Sequence, residues 1–377
     1  MRSPLGSRLR RADRPRVLLA VLVVGVLLLG AVVLVALGPD LPGPGAREYL
    51  GLADDPLAPC TPGAEQVRAA PGRTAGGGRW REEPALPTAR DELKAVTLGS
   101  HIYVGTGQIY RGGDEAPLES VASLWDFDAS RRRYARIPDA PRSLDHAGAA
   151  AYRGDLFLTG GHFDQSRSTN RMWSYSSEGR RWVEQPPMRQ ARGALATAVI
   201  GKRLYAVGGS LPTLDEPLRK PFRTLEVYDF TARRWTFGSD MPTPRHHLAA
   251  AALDGKLYVA GGRRPEDYSQ SAFERFDPRT QEWERLPPLP QGAGGSTAVA
   301  VAGEIVVVGG GDDAERWVTR ATWAYSPARG SWRRLADLRV PRHGHAAAVL
   351  GNRVYVFGGA PCPGFGRTDS VESLAVR

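Results

Sequence analysis

The chain has 377 residues, 42% of them apolar and 24% charged, which excludes a disordered polymer and leaves room for one large folded unit or two ordinary ones. Its 44 glycines and 30 prolines exceed average usage and recur at regular places, which favours turns over long helices and therefore an all-β chain. The formal charge of +10 is concentrated at the start, where six arginines between Arg2 and Arg16 face one acid, Asp13. The rest is mildly basic, and without a basic helix or stacking platform no nucleic-acid partner is expected.

After the basic segment 1–16, which is expected in the cytoplasm, residues 17–38 run for 22 positions without a charge. A helix of that length spans about 30 Å of hydrocarbon. Arginines on its N-terminal side predict a single-pass signal anchor, with the N-terminus cytoplasmic and everything after Asp40 extracytoplasmic. A cleaved signal peptide is the alternative, although no clear A-x-A site follows and the apolar run is long for one. Residues 39–78 are rich in Gly, Pro and Ala and predict a flexible or partly ordered stalk.

From Trp80 onward a unit repeats. A β-rich run closes on a glycine pair or its equivalent, ending at Gly107, Gly161, Gly209, Gly262, Gly310 and Gly359, with spacings of 54, 48, 53, 48 and 49 residues. Then Phe127, Tyr175, Tyr228, Phe276 and Tyr325 each stand seven residues before Tyr134, Trp182, Trp235, Trp283 and Trp332. Each unit reads as four short strands, with small residues on the inner strands and the bulky aromatic on the outer one. One such sheet cannot bury both faces, whereas sheets packed in a closed ring can. Closure is read from the ends: Trp80 belongs to an outer strand without partners, and the last unit, ending in 370–377, lacks an outer strand. Strand 79–85 is therefore expected to complete the sixth sheet. In these positions the aromatics are expected to serve core packing.

The glycine doublet, the aromatic and the tryptophan seven residues later resemble the Kelch repeat over residues 80–377. The resemblance implies a six-bladed Kelch-type β-propeller over 79–377. It also touches galactose-oxidase-like copper enzymes, but Cys60 and Cys362 offer no evident crosslink partner, and no cofactor or metal is expected. The two cysteines could instead pair and lock the ring, since the 20 residues from Cys60 to Trp80 can reach.

In such a ring the loops after the second strand and those between blades share one face, and they are long and varied. Arg90, Arg192, Arg245 and Arg342 stand seventeen residues before their blade's last glycine, Arg142 stands nineteen before its own, and Ala293 takes the place in the fifth unit. Five guanidinium groups around a channel mouth could hold a carboxylate. Alternatively, arginine there belongs to the repeat and bonds loop backbone or a neighbouring acid. His146, His246, His247, His343 and His345 lie just inside this ring, with structural or solvent-facing roles weighed above metal ligation. The expectation is a non-catalytic module that binds a protein, glycan or anionic small molecule on its loop face. A sugar-acid epimerase or mutarotase using the arginine-lined mouth is the second reading, with His246, His343 or Glu266 available as acid or base.

Overall fold

Each repeat folds as an antiparallel sheet of four strands, and six such sheets are formed among the described residues. The computed structural model describes residues 62–63, 66–74, 78–110, 118–163, 167–212, 220–266, 268–364 and 366–377. Backbone contacts divide the chain into 1–56 and 57–377, and every described residue lies in the second unit.

Blade 1 consists of Lys94–Leu98, His101–Gly105, Leu124–Asp128 and Arg133–Ile137, taken from the axis outward. Blade 2 is Gly148–Tyr152, Asp155–Thr159, Met172–Ser176 and Arg181–Gln185, and blade 3 is Ala196–Ile200, Arg203–Val207, Leu225–Asp229 and Arg234–Phe237. Blade 4 is Ala249–Leu253, Lys256–Ala260, Phe273–Asp277 and Glu282–Arg285, and blade 5 is Thr297–Val301, Glu304–Val308, Thr322–Ser326 and Ser331–Arg334. Blade 6 takes Ala346–Leu350, Arg353–Phe357 and Val371–Ala375 from the C-terminus and its outer strand, Arg81–Glu83, from the N-terminal side. Arg81 pairs with Ser373 and Glu83 with Val371, so the predicted closure is present. The first strands touch one another in turn, blade 6 against blade 1 included, and close the ring. Small residues such as the run Ala249–Ala252 allow that approach near the axis.

The seven-residue aromatic offset has a simple cause. Tyr175 stands directly opposite Trp182 across the third and fourth strands, as do Tyr228 and Trp235, Phe276 and Trp283, Tyr325 and Trp332, and Phe127 and Tyr134. The outer member of each pair also reaches the blade before it. Trp182 Nε1 donates to Pro138 O, Trp235 to Pro186 O, Trp283 to Ser239 O and Trp332 to Pro287 O, at 2.8–3.0 Å. Trp80 Nε1 donates to Ala336 O and Tyr134 Oη to Pro84 O, both at 2.9 Å, so all six joints carry one such bond. Each is worth about 1 kcal/mol net.

One expectation needs correction. The membrane-spanning helix over 17–38, the single-pass anchor with its N-terminus cytoplasmic, and the extracytoplasmic placement of the propeller are not upheld. Residues 17–38 lie outside the described residues, and among the described residues no helix is long and apolar enough to cross a membrane. The stalk expected over 39–78 is bound to blade 5 over its described part. Val67–Arg68 pairs in parallel with Val318–Thr319, filling the open edge of a small hairpin, and the Arg334 guanidinium donates to the Ala70 and Gly72 carbonyls. Cys362 is disulfide-bonded, and the sequence holds one other cysteine, Cys60, which lies outside the described residues.

The glycine pairs end the second strands with φ near +60° and then near +100°, which L-residues with side chains resist. A Cβ on Gly209 would stand 2.6 Å from Gly193 O, whereas one on the hairpin residue Gly255, also at positive φ, meets nothing within 4 Å. Gly255→Ala should therefore cost about 1 kcal/mol of backbone strain. Gly209→Ala should cost at least about 2 kcal/mol more, because carbonyl and Cβ cannot both stay. Urea unfolding of the two variants compares them, and equal costs would contradict close packing at the glycine pair.

Candidate functional site

Three consecutive residues enter each blade from the loop face, and each goes a different way. The first position holds Arg90, Leu144, Arg192, Arg245, Ala293 and Arg342 around the ring. The second holds Asp91, Asp145, Gly193, His246, Gly294 and His343, each bridged to the residue after its glycine pair. The third holds Glu92, His146, Ala194, His247, Gly295 and Gly344, every one at φ between +48° and +65°. That left-handed turn points each amide at the preceding blade: Glu92 N donates to Gly344 O, His146 N to Glu92 O, and so on through Ala194, His247, Gly295 and Gly344. Six amides thus form a closed hydrogen-bonded ring at the axis.

The first-position arginines turn into the blades. Arg90, Arg192, Arg245 and Arg342 are at most 1% exposed. Arg342 donates to Gly358 O at 2.8 Å and Ser370 O at 2.9 Å, and Arg245 donates to Gly261 O and to Ala272 O at 2.9 Å. These carbonyls flank the gap where the second strand leaves the sheet and the third enters; Ala272 O and Ser370 O already accept from Gly261 N and Gly358 N, and the guanidinium adds a second donor there and serves Gly261 O and Gly358 O. Arg342 also pairs with Glu372 at 2.6 Å, Arg245 with Glu274 at 2.7 Å and Arg192 with Glu226 at 3.3 Å. The glutamates hold the incoming turn as well, Glu372 accepting from the amides of Arg339 and Val340. Where blades 3, 4 and 6 carry glutamate, blade 1 carries Trp125, with the Arg90 guanidinium 4.2 Å from the ring centroid. Burial pulls Arg245 and Arg342 below the usual guanidinium range, with the adjacent carboxylates opposing it. The expected ring of anion-binding arginines is therefore corrected: four of the five are consumed inside the sheets. Arg142, displaced by its two-residue insertion, is exposed on the loop face and stacks on Phe163 at 4.3 Å.

The histidines do converge. His146 Nε2 lies 2.9 Å from His247 Nε2 and 3.4 Å from Glu92 Oε2, and these ligand atoms all lie within 4.8 Å of one another. Asp145 contacts His146 Nδ1 at 2.5 Å and accepts from Ser120, while His246 Nδ1 lies 2.5 Å from His247 Nδ1. His343 bonds Cys362 O at 2.9 Å and stands 4.0 Å from Asp313, which pairs with Arg263 at 2.8 Å. His345 lies deeper, bonded through Nε2 to Thr297, and it lines the channel cavity with Lys94, Glu92 and His247.

Asp91, Glu92, Lys94, Asp145, Arg263 and Asp313 escaped the sequence reading. The signal that finds Glu92 is its offset of fifteen residues before the last glycine, shared with His146 and His247. Burial alone would push the Glu92 carboxyl up, but His146, Lys94, His343 and Arg263 hold it below the usual range. Asp91 is pushed well above that range by burial and by the charges of Glu92 and Asp145.

Two measurements test the division between structural and exposed groups. Arg342→Met should lower unfolding free energy by about 3–5 kcal/mol, because Glu372 is left buried without its cation. Arg142→Ala should stay within about 0.5 kcal/mol. Burial holds His345 well below its ordinary value and His343 below its own, with nearby positive charges adding to both shifts. The unfolded chain then binds more protons just below pH 6.5, so stability contributed by neutral histidine is present above that pH and is lost on acidification. His345→Gln should flatten this loss between pH 7 and pH 5 in denaturant melts, and an unchanged slope would contradict it.

Family models match the same repeats. One described as the KLHDC2/KLHL20/DRC7 Kelch-repeats domain covers residues 219–359, and the Kelch motif covers 144–189 and 191–242. Kelch-like protein terF of Aspergillus terreus is 27% identical over 190 residues, covering 48% of this chain and 40% of that protein. Kelch-like protein 25 of Xenopus tropicalis is 24% identical over 233 residues, 60% of this chain and 37% of that protein. Kelch repeat and BTB domain-containing protein 13 of Homo sapiens is 30% identical over 202 residues, 53% and 42% of the two chains. The chain thus spans about two fifths of the length of these relatives. The family-model matches take in the glycine pairs of blades 2 to 6 and the opposed aromatics of blades 2 to 5, and the chain belongs to the Kelch-repeat family.

Proposed function

We propose that this chain is a binding module that engages a protein partner with the loop face of its propeller. The observation that carries this reading is the split between positions that repeat and positions that do not. The repeating residues, meaning the glycine pairs, the outer aromatics and the buried arginines, are consumed in holding the blades. The second and third entry positions differ from blade to blade, from Asp91 and Glu92 through His246 and His247 to Gly294 and Gly295. Such individuality on a rigid ring suits recognition of one partner. The Kelch-like names of the relatives support the same class of module.

A second reading, a sugar-acid isomerase, keeps one specific support. His146 with Asp145 on its Nδ1 is an acid–base pair of the kind such chemistry needs. Its anion would have to be held by groups other than the four buried arginines.

Photo-crosslinkers placed in the full chain at Arg142 and Arg167 on the loop face, and at Lys202 in a turn on the opposite face, distinguish the alternatives. The module predicts one partner captured from the loop face alone, with capture from the Arg142 position reduced at least tenfold by Arg167→Glu and capture from the Arg167 position reduced likewise by Arg142→Glu. Equal capture from both faces would sink the reading. Interconversion of a sugar acid followed by NMR, and lost in His146→Gly, would replace it with the isomerase.

A further inference from the structure

Blades 1, 2 and 4 place Glu92, His146 and His247 at a ring position where blades 5 and 6 use glycine. At φ of 48°, 52° and 50° each pays for a left-handed backbone that glycine adopts freely. Strain of this kind is retained where the surrounding structure imposes it or where the side chain is needed at that place. Here the three side chains meet over the axis, two of them through ring nitrogens. Gly344 makes room for them, since a Cβ there would stand 2.5 Å from the Glu92 carboxylate.

We infer that Glu92, His146 and His247 form a binding site for one divalent transition-metal ion of the zinc class at the channel mouth. The donor set is two imidazoles and a carboxylate, which suits zinc and its neighbours better than calcium or magnesium. Two ligand atoms about 2.1 Å from a shared tetrahedral ion lie about 3.4 Å apart. His146 Nε2 to Glu92 Oε2 is 3.4 Å, and His146 Nε2 to His247 Nε2 is 2.9 Å, so a shift of a few tenths of an ångström completes the geometry. Asp145 on His146 Nδ1 is the outer carboxylate that fixes a metal-bound imidazole with its Nε2 lone pair directed inward. His246 stands in the corresponding place behind His247. Lys94 lines the same cavity, which disfavours a hard cation held by charge alone and leaves nitrogen coordination as the basis of selectivity. Three protein ligands leave a fourth position for water or for a donor atom of whatever reaches the mouth.

The test uses the full chain stripped with a chelating resin and titrated with zinc chloride against a chromophoric chelator. Cobalt(II) absorption serves as the signature of a tetrahedral site. One equivalent per chain is expected, with Glu92→Gln, His146→Gly and His247→Gly each weakening uptake at least tenfold. Both glycine variants adopt the residue already present at positions 295 and 344; His247→Gly should melt without metal at or above the parent, while His146→Gly also removes the imidazole partner of buried Asp145 and is assayed below its own melting temperature. That readout separates a lost ligand from a lost fold. His101→Ala, remote on blade 1, should leave uptake unchanged. Absence of stoichiometric uptake, which would make the imidazole contact a hydrogen bond only, overturns the site, as does uptake unaltered in all three variants.

Discussion

The ring of six amides at the axis is the constraint on which the rest of the molecule depends. Each blade donates one N–H to the carbonyl of the blade before it, and the direction of that bond requires a left-handed residue at one place per blade. A ring of this kind closes only if all six blades enter at the same height and tilt. The glycine pairs meet that demand from the other side, letting the second strand turn away while its backbone packs on the neighbouring entry segment. First strands rich in alanine then line the channel, since small side chains let adjacent blades approach near the axis.

The perimeter is held by a second set of six bonds, from the outer aromatic of each blade to a carbonyl of its neighbour. Between the two rings the buried arginines tie the second strand, the third strand and the incoming turn of one blade together. Their burial would be unfavourable without partners, which explains why Glu226, Glu274 and Glu372 occur where Arg192, Arg245 and Arg342 reach. Blade 5, with Ala293, carries Trp323 at the equivalent place, and no charge is buried there. The pairing is thus complementary blade by blade: blades 3, 4 and 6 match arginine with glutamate, and blade 1 sets Arg90 over Trp125.

Function is confined by what this framework leaves over. Side chains that recur are spent in holding the blades together, so the loop face owes its chemistry to residues that break the repeat. Asp91, Asp145, His246, Arg263, Asp313 and His343 sit one layer above the amide ring and are almost all buried. These groups are held in fixed positions with little freedom to rearrange, which under the proposed binding role would favour selectivity over adaptability.

The sequence by itself determined the blade count and the closure, expected over 79–85 and found at Arg81–Glu83. Both follow from the repeat, whose spacing counts the blades and whose two incomplete end units complete each other, whereas the seven-residue aromatic offset takes its meaning from the strand pairing. It also brought His146 and His247 into one shortlist. Only the tertiary structure decided the direction of the side chains: that Arg90, Arg192, Arg245 and Arg342 turn inward, that Arg142 does not, and that Glu92 joins the two histidines. Residues adjacent in the chain point to different places once a left-handed backbone intervenes, and residues from blades far apart in sequence meet only because the ring closes. Periodicity registers which positions are equivalent, but the partner that a charged group finds depends on the neighbouring blade, and no local pattern encodes it.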